Sequence, residues 1–92
     1  MINRLLNFIE ANYTDFNTYA VKSGIPLSDL KSWFDGATEP TLQDLVKIYN
    51  TGCSLDWLLS GENGMYAFNK AGLTIYKNIT EQDNGYYRAD FN

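Results

Sequence analysis

The 92-residue chain has no histidine, a single cysteine (Cys53) and only two prolines, and the first two shortages remove whole classes of function. Without histidine there is no Ser-His-Asp triad, no Cys-His nucleophile pair and no zinc site built from nitrogen and sulfur ligands. Metal catalysis would rest on carboxylates alone, so an enzyme is not expected, nor a cofactor or a metal site. One thiol cannot close an internal disulfide. No apolar run approaches the roughly 20 residues of a membrane span. The start, Met1-Ile2-Asn3-Arg4, leads into polar Asn7 and Glu10 instead of a secretory apolar core. These features predict an intracellular, cytoplasmic protein, and they make Asn78-Ile79-Thr80 a chance match to a glycosylation acceptor.

Positive charge is also scarce. Seven Lys and Arg against eleven Asp and Glu give a net charge of -4, which repels a polyanion at long range and argues against nucleic acid on composition alone. Over residues 1–77, six cations (Arg4, Lys22, Lys31, Lys47, Lys70, Lys77) face eight anions (Glu10, Asp15, Asp29, Asp35, Glu39, Asp44, Asp56, Glu62), so the acidity is spread along the chain.

What is present is apolar spacing of helical period through the first 60 residues. The length exceeds the roughly 40-residue floor below which disulfides or metals are usually needed, so one domain with a modest core is expected. Ile2, Leu5, Leu6 and Ile9 mark a first helix ending near Asn12. Thr14 or Asp15 suits the N-cap of a second, carrying Phe16, Tyr19 and Ala20 inward and closed by Gly24. Pro26 fits the start of a third helix, from about Leu27 to Phe34, anchored by Leu30 and Trp33 and ended by Asp35-Gly36. Thr41 and Asp44 form a capping-box-like pair ahead of a fourth helix expected to bury Leu42, Leu45, Val46, Ile48 and Tyr49. Ser54 to Gly61 reads as a short fifth helix, with Cys53 a small buried residue at its junction.

From Glu62 the composition shifts to Gly, Asn and aromatics. Leu73, Ile75, Lys77 and Ile79 alternate with Thr74, Tyr76 and Asn78, and Asp83-Asn84-Gly85 offers a turn toward a return strand over Tyr86 to Phe91. This segment is expected to be either a β-hairpin or a flexible tail. A lone hairpin is marginal in water, so it would pack on the helices or on a second chain. Its aromatics, Tyr66, Phe68, Tyr76, Tyr86, Tyr87 and Phe91, suit a cover for the helical core or a subunit interface.

A short helix, a tight turn and a second helix with a free outer face make a helix-turn-helix, which needs a small residue at the crossing, a turn residue tolerant of positive φ, and apolar anchors one turn apart. Ala20, Gly24, Leu30 and Trp33 meet those needs. With Gly36, Pro40, Leu45, Ile48 and the block Thr51-Gly52-Cys53-Ser54-Leu55-Asp56-Trp57-Leu58-Leu59-Ser60-Gly61-Glu62, the chain resembles the phage CI-repressor-like helix-turn-helix domains of the lambda and Cro type. The resemblance covers residues 1–62. It implies an all-α, five-helix bundle, with residues 63–92 a C-terminal extension. It also implies a phage-type transcriptional regulator or repressor that binds double-stranded DNA sequence-specifically, usually as a homodimer.

Carried over position by position, it points to Leu27, Ser28 and Ser32 as base-facing side chains of the third helix, with Lys31 near the DNA backbone. Serine is a permissive reader of base edges, and Leu27 offers apolar contact to a thymine methyl. Phe16 stands where the family commonly has a phosphate-binding glutamine, and Asp29, Asp35 and Glu39 add negative charge around the recognition helix. Without the family, Ser28, Lys31 and Ser32 read as an ordinary solvated face. The alternative is therefore a protein-interaction module on the same fold, its acidic face binding a protein partner and its DNA affinity weak or lost. In either case Trp33 and Trp57 should be largely buried.

Overall fold

The computed structural model describes the backbone of residues 1–82 and the side chains of residues 1–79. Six helices follow in order: α1 (Ile2–Asn12), α2 (Phe16–Ser23), α3 (Leu27–Phe34), α4 (Leu42–Asn50), α5 (Leu55–Ser60) and α6 (Lys70–Gln82). The described chain is all-α.

Local chemistry explains several helix ends. The Asp15 carboxylate accepts the Thr18 amide at the start of α2, and Gly24 closes that helix in the left-handed region at φ 78°. Thr41 and Asp44 form a reciprocal capping box on α4. Ser54 caps α5, and Gly61 ends it, again left-handed.

The core gathers one face of each of the first five helices: Leu5, Phe8 and Ile9 from α1, Tyr19 from α2, Leu30 and Trp33 from α3, Ile48 from α4 and Leu58 from α5, with Ile25 and Cys53 from the connections. At its centre lies a polar knot. Thr51, buried in the turn after α4, donates its hydroxyl proton to the Ile48 carbonyl, 2.6 Å away. Its oxygen therefore accepts from the Tyr19 hydroxyl at 2.9 Å. The Tyr13 hydroxyl donates to the Thr51 carbonyl at 2.7 Å, so α1, α2 and α4 meet on one residue.

Three expectations are corrected. The Leu73–Ile79 arm of the hairpin is helical, inside α6; the return strand, Tyr86 to Phe91, lies outside the described residues. The alternation is real, but Ala71, Ile75 and Ile79 also recur at helical period, and those are the half-buried positions. Asn69 fixes the outcome: its carboxamide oxygen accepts the Gly72 amide at 2.8 Å, while its amide nitrogen donates to the Tyr49 carbonyl of α4 at 2.8 Å. Second, α4 buries Ile48 and half-buries Leu45, whereas Leu42, Val46 and Tyr49 are exposed. Those three sit at i, i+4 and i+7 on the opposite edge of the apolar arc, where Leu42 is the most exposed at 77% and Tyr49 the least at 36%. Third, Trp33 is buried but Trp57 is only half-buried, packed against the rim of the core.

The core also extends past Glu62. The Ser54 amide donates to the Met65 carbonyl at 2.9 Å and the Ala67 amide to the Gly52 carbonyl at 2.7 Å. That short antiparallel contact pairs Cys53 with Tyr66. Tyr66 reaches back to α1, donating to the Asn12 side-chain oxygen at 3.0 Å. Tyr66 and Ile75 thus cover the core, while Phe68 is 89% exposed and covers nothing.

Candidate nucleic-acid interface

The turn between α2 and α3 is three residues, Gly24 to Pro26. Ile25 plugs it into the core at 1% exposure, its amide accepted by the Ser23 hydroxyl at 3.1 Å. Phe16 on α2 stacks on Phe34 of α3, ring centroids 4.8 Å apart and 14° from parallel. The aromatic side chain at this position thus staples the two helices together instead of reaching outward. Leu30 and Trp33 point into the core, and the opposite face of α3 carries Ser28, Lys31, Ser32 and Asp35.

These positions are not equivalent. Ser28 and Lys31 are exposed. Leu27 is half-buried, packed against the core. Ser32 is half-buried and its hydroxyl is shared with that of Thr38 at 2.7 Å, while its carbonyl accepts the Ala37 amide at 2.9 Å, so it organises the loop after α3. Two of the four residues that sequence reasoning assigned to DNA therefore have intramolecular roles.

The surroundings are acidic. Lys31 lies on a cleft of about 390 Å³ that it shares with Leu27, Phe16 and the carboxylates of Glu10 and Asp15. The Thr18 backbone amide, followed by its side-chain hydroxyl, holds the Asp15 carboxyl below its ordinary range. A carboxylate thus occupies the amide end of α2, where a phosphate would otherwise be favoured. Asp35 follows Lys31 by one turn and Glu39 is exposed in the next loop. Among the described residues no group of three metal-ligating side chains occurs, and no helix is long and apolar enough to cross a membrane.

One feature could not be read from sequence spacing, the contact of Arg4, whereas the burial of Cys53 is as expected. The Arg4 guanidinium donates to the Leu58 and Leu59 carbonyls at 2.9 and 3.2 Å, so this cation is spent closing the C-terminal end of α5. Burial pushes the Cys53 thiol up to about 12, which keeps it protonated and unreactive at neutral pH. In comparison with known proteins, the chain matches no family model, no curated protein and no solved structure.

Proposed function

We propose that this protein is a double-stranded-DNA-binding transcriptional regulator of the phage-repressor type, whose helix α3 enters the major groove. The observation that carries the reading is the free face of α3 beyond a three-residue turn, with Ser28 and Lys31 exposed on it and the helix held rigidly by Leu30, Trp33 and the Phe16–Phe34 stack. In this reading Ser28 contacts base edges and Lys31 a phosphate. Leu27 and Ser32 act mainly by shaping the helix and its following loop. With so few cations, one copy gains little phosphate affinity. Two copies on adjacent half-sites supply the binding through effective concentration, which makes a homodimer part of the proposal.

A second reading is favoured by the charges. Glu10 and Asp15 line the cleft that holds Lys31, the lysine of α3, and exposed Asp35 and Glu39 follow in the chain, an acidic setting suited to a basic protein partner, including the basic surface of another DNA-binding protein. Fluorescence anisotropy with labelled fragments from the protein's own genomic neighbourhood, at low and at moderate salt, separates the two. Saturable binding to one fragment over scrambled DNA, weakening with salt, is expected of the regulator. No preference for any fragment at low salt would favour the interaction module.

A further inference from the structure

A cleft of about 520 Å³ opens where α6 meets the rest of the molecule, lined by Tyr13, Lys22, Asn50, Lys70, Thr74 and Ile75, among others. Its volume falls within the roughly 300–1,000 Å³ of small-molecule sites. Its residues come from four places that only the fold brings together: the end of α1, the last turn of α2, the end of α4 and the first turns of α6. The charge inside it runs against the rest of the protein. The net charge is -4, and three other clefts each present at least one carboxylate: Glu10 and Asp15 in one, Glu39 in the second, Asp56 in the third. Among the described residues, this one presents two lysines and no carboxylate.

We propose that this cleft binds a small organic anion with one acidic head group and an apolar body. Lys22 and Lys70 attract the head group from two different helices, and the Asn50 and Thr74 side chains supply polar partners at the rim. Ala71, Ile75 and the Tyr13 ring supply the apolar wall. The Tyr13 hydroxyl is already committed to the Thr51 carbonyl, so the tyrosine contributes its ring. Ala71 and Ile75 are each half-buried, which leaves apolar surface for a ligand to remove from water. Since Lys22 stands on α2 and Lys70 on α6, a bound anion would bridge the α2–α3 pair to the C-terminal helix. The inference stands whether or not α3 binds DNA.

The test uses the full chain and the fluorescent anion 8-anilinonaphthalene-1-sulfonate, with its uncharged relative N-phenyl-1-naphthylamine as control. Saturable single-site binding of the sulfonate is expected, displaced by decanoate but not by inorganic phosphate, which lacks the apolar body. Replacing both lysines (Lys22→Gln with Lys70→Gln) should weaken sulfonate binding about tenfold and leave the uncharged dye unchanged, and Lys31→Gln should change neither. Circular dichroism confirms that the variants are folded. On the unmodified protein, amide shifts in a decanoate titration should concentrate at Lys22, Asn50, Lys70 and Thr74. Equal sulfonate affinity in the double variant, displacement by phosphate alone, or shifts centred on another face would overturn the proposal.

Discussion

Gly52, in the turn after α4, and Gly72, in the first turns of α6, touch through their backbones: a Cβ built on Gly52 would lie 2.9 Å from the Gly72 amide nitrogen. Gly52 also holds φ at 102°, and a Cβ on Gly72 would collide with the Ala67 carbonyl oxygen. In an exposed helix interior, Gly→Ala usually stabilises by about 1 kcal/mol. Here the collision is with backbone, which cannot swing aside, so Gly72→Ala should instead destabilise by about 1–3 kcal/mol. Urea unfolding followed by tryptophan fluorescence measures it, and a higher midpoint in the variant would show that α6 does not dock through this contact.

The Thr51 knot predicts a non-additive pair. Tyr19→Phe should cost about 1 kcal/mol by removing one hydrogen bond, and Thr51→Val about 1–3 kcal/mol by leaving a buried tyrosine hydroxyl without an acceptor. The double variant removes the stranded donor, so its cost should fall well below the sum. Simple additivity in chemical denaturation would mean that the two hydroxyls do not interact.

Stability should fall in alkali from about pH 9. The unfolded chain releases the Cys53 proton near its ordinary value of 9.0, whereas the folded chain holds it to about 12 because the thiol is buried. The unfolded state therefore binds fewer protons in that window, so the stability present in full below it is lost as pH rises through it. Burial raises Tyr13 and Tyr19 in the same direction, extending the loss above about pH 10. Cys53→Ala should remove the early part of the decline and keep the tyrosine part, read as urea midpoints against pH.

On DNA, the positions on α3 should separate by role. Lys31→Gln is expected to weaken binding to all sequences and to flatten the salt dependence by roughly one ion. Ser28→Ala should alter base preference with little change in stability. Ser32→Ala should lower the unfolding midpoint slightly, because it removes the hydroxyl contact with Thr38 that ties the loop to α3. If Ser28→Ala and Lys31→Gln both leave a measured specific affinity unchanged, α3 is not the reading helix.

Ending the chain at Glu62 should do more than remove an appendage. It deletes the Met65 carbonyl that accepts from Ser54, the Tyr66 hydroxyl bond to Asn12, and the Ile75 cover. The truncated form should therefore unfold at a clearly lower temperature. Equal melting points would mean that residues 63–92 add nothing to the stability of the core. The apolar residues of this segment divide along the same line: Ile75 packs on its own core, Tyr76 is exposed beside Tyr66, and Tyr86, Tyr87 and Phe91 lie outside the described residues.

The sequence by itself determined the first five helices and their ends, because those signals are local. Asp15, Thr41 and Ser54 cap within three residues, and Gly24 and Gly61 supply left-handed closures that other residues adopt at a cost. It determined equally that Leu30 and Trp33 face inward and Ser28 and Lys31 outward, since helical period alone divides α3. Only the tertiary structure decided α6. Over Leu73 to Ile79 the alternation read as a strand, and the segment is instead a helix, docked by Asn69 binding Tyr49 twenty positions earlier and by the room Gly52 leaves for Gly72. It also decided which side of a broadly apolar α4 is buried, a choice set by what packs against the helix and not by its composition. The cleft of Lys22 and Lys70 belongs to the same category: 48 positions separate the two lysines in the chain, and no spacing rule connects charges that meet only after the helices have packed.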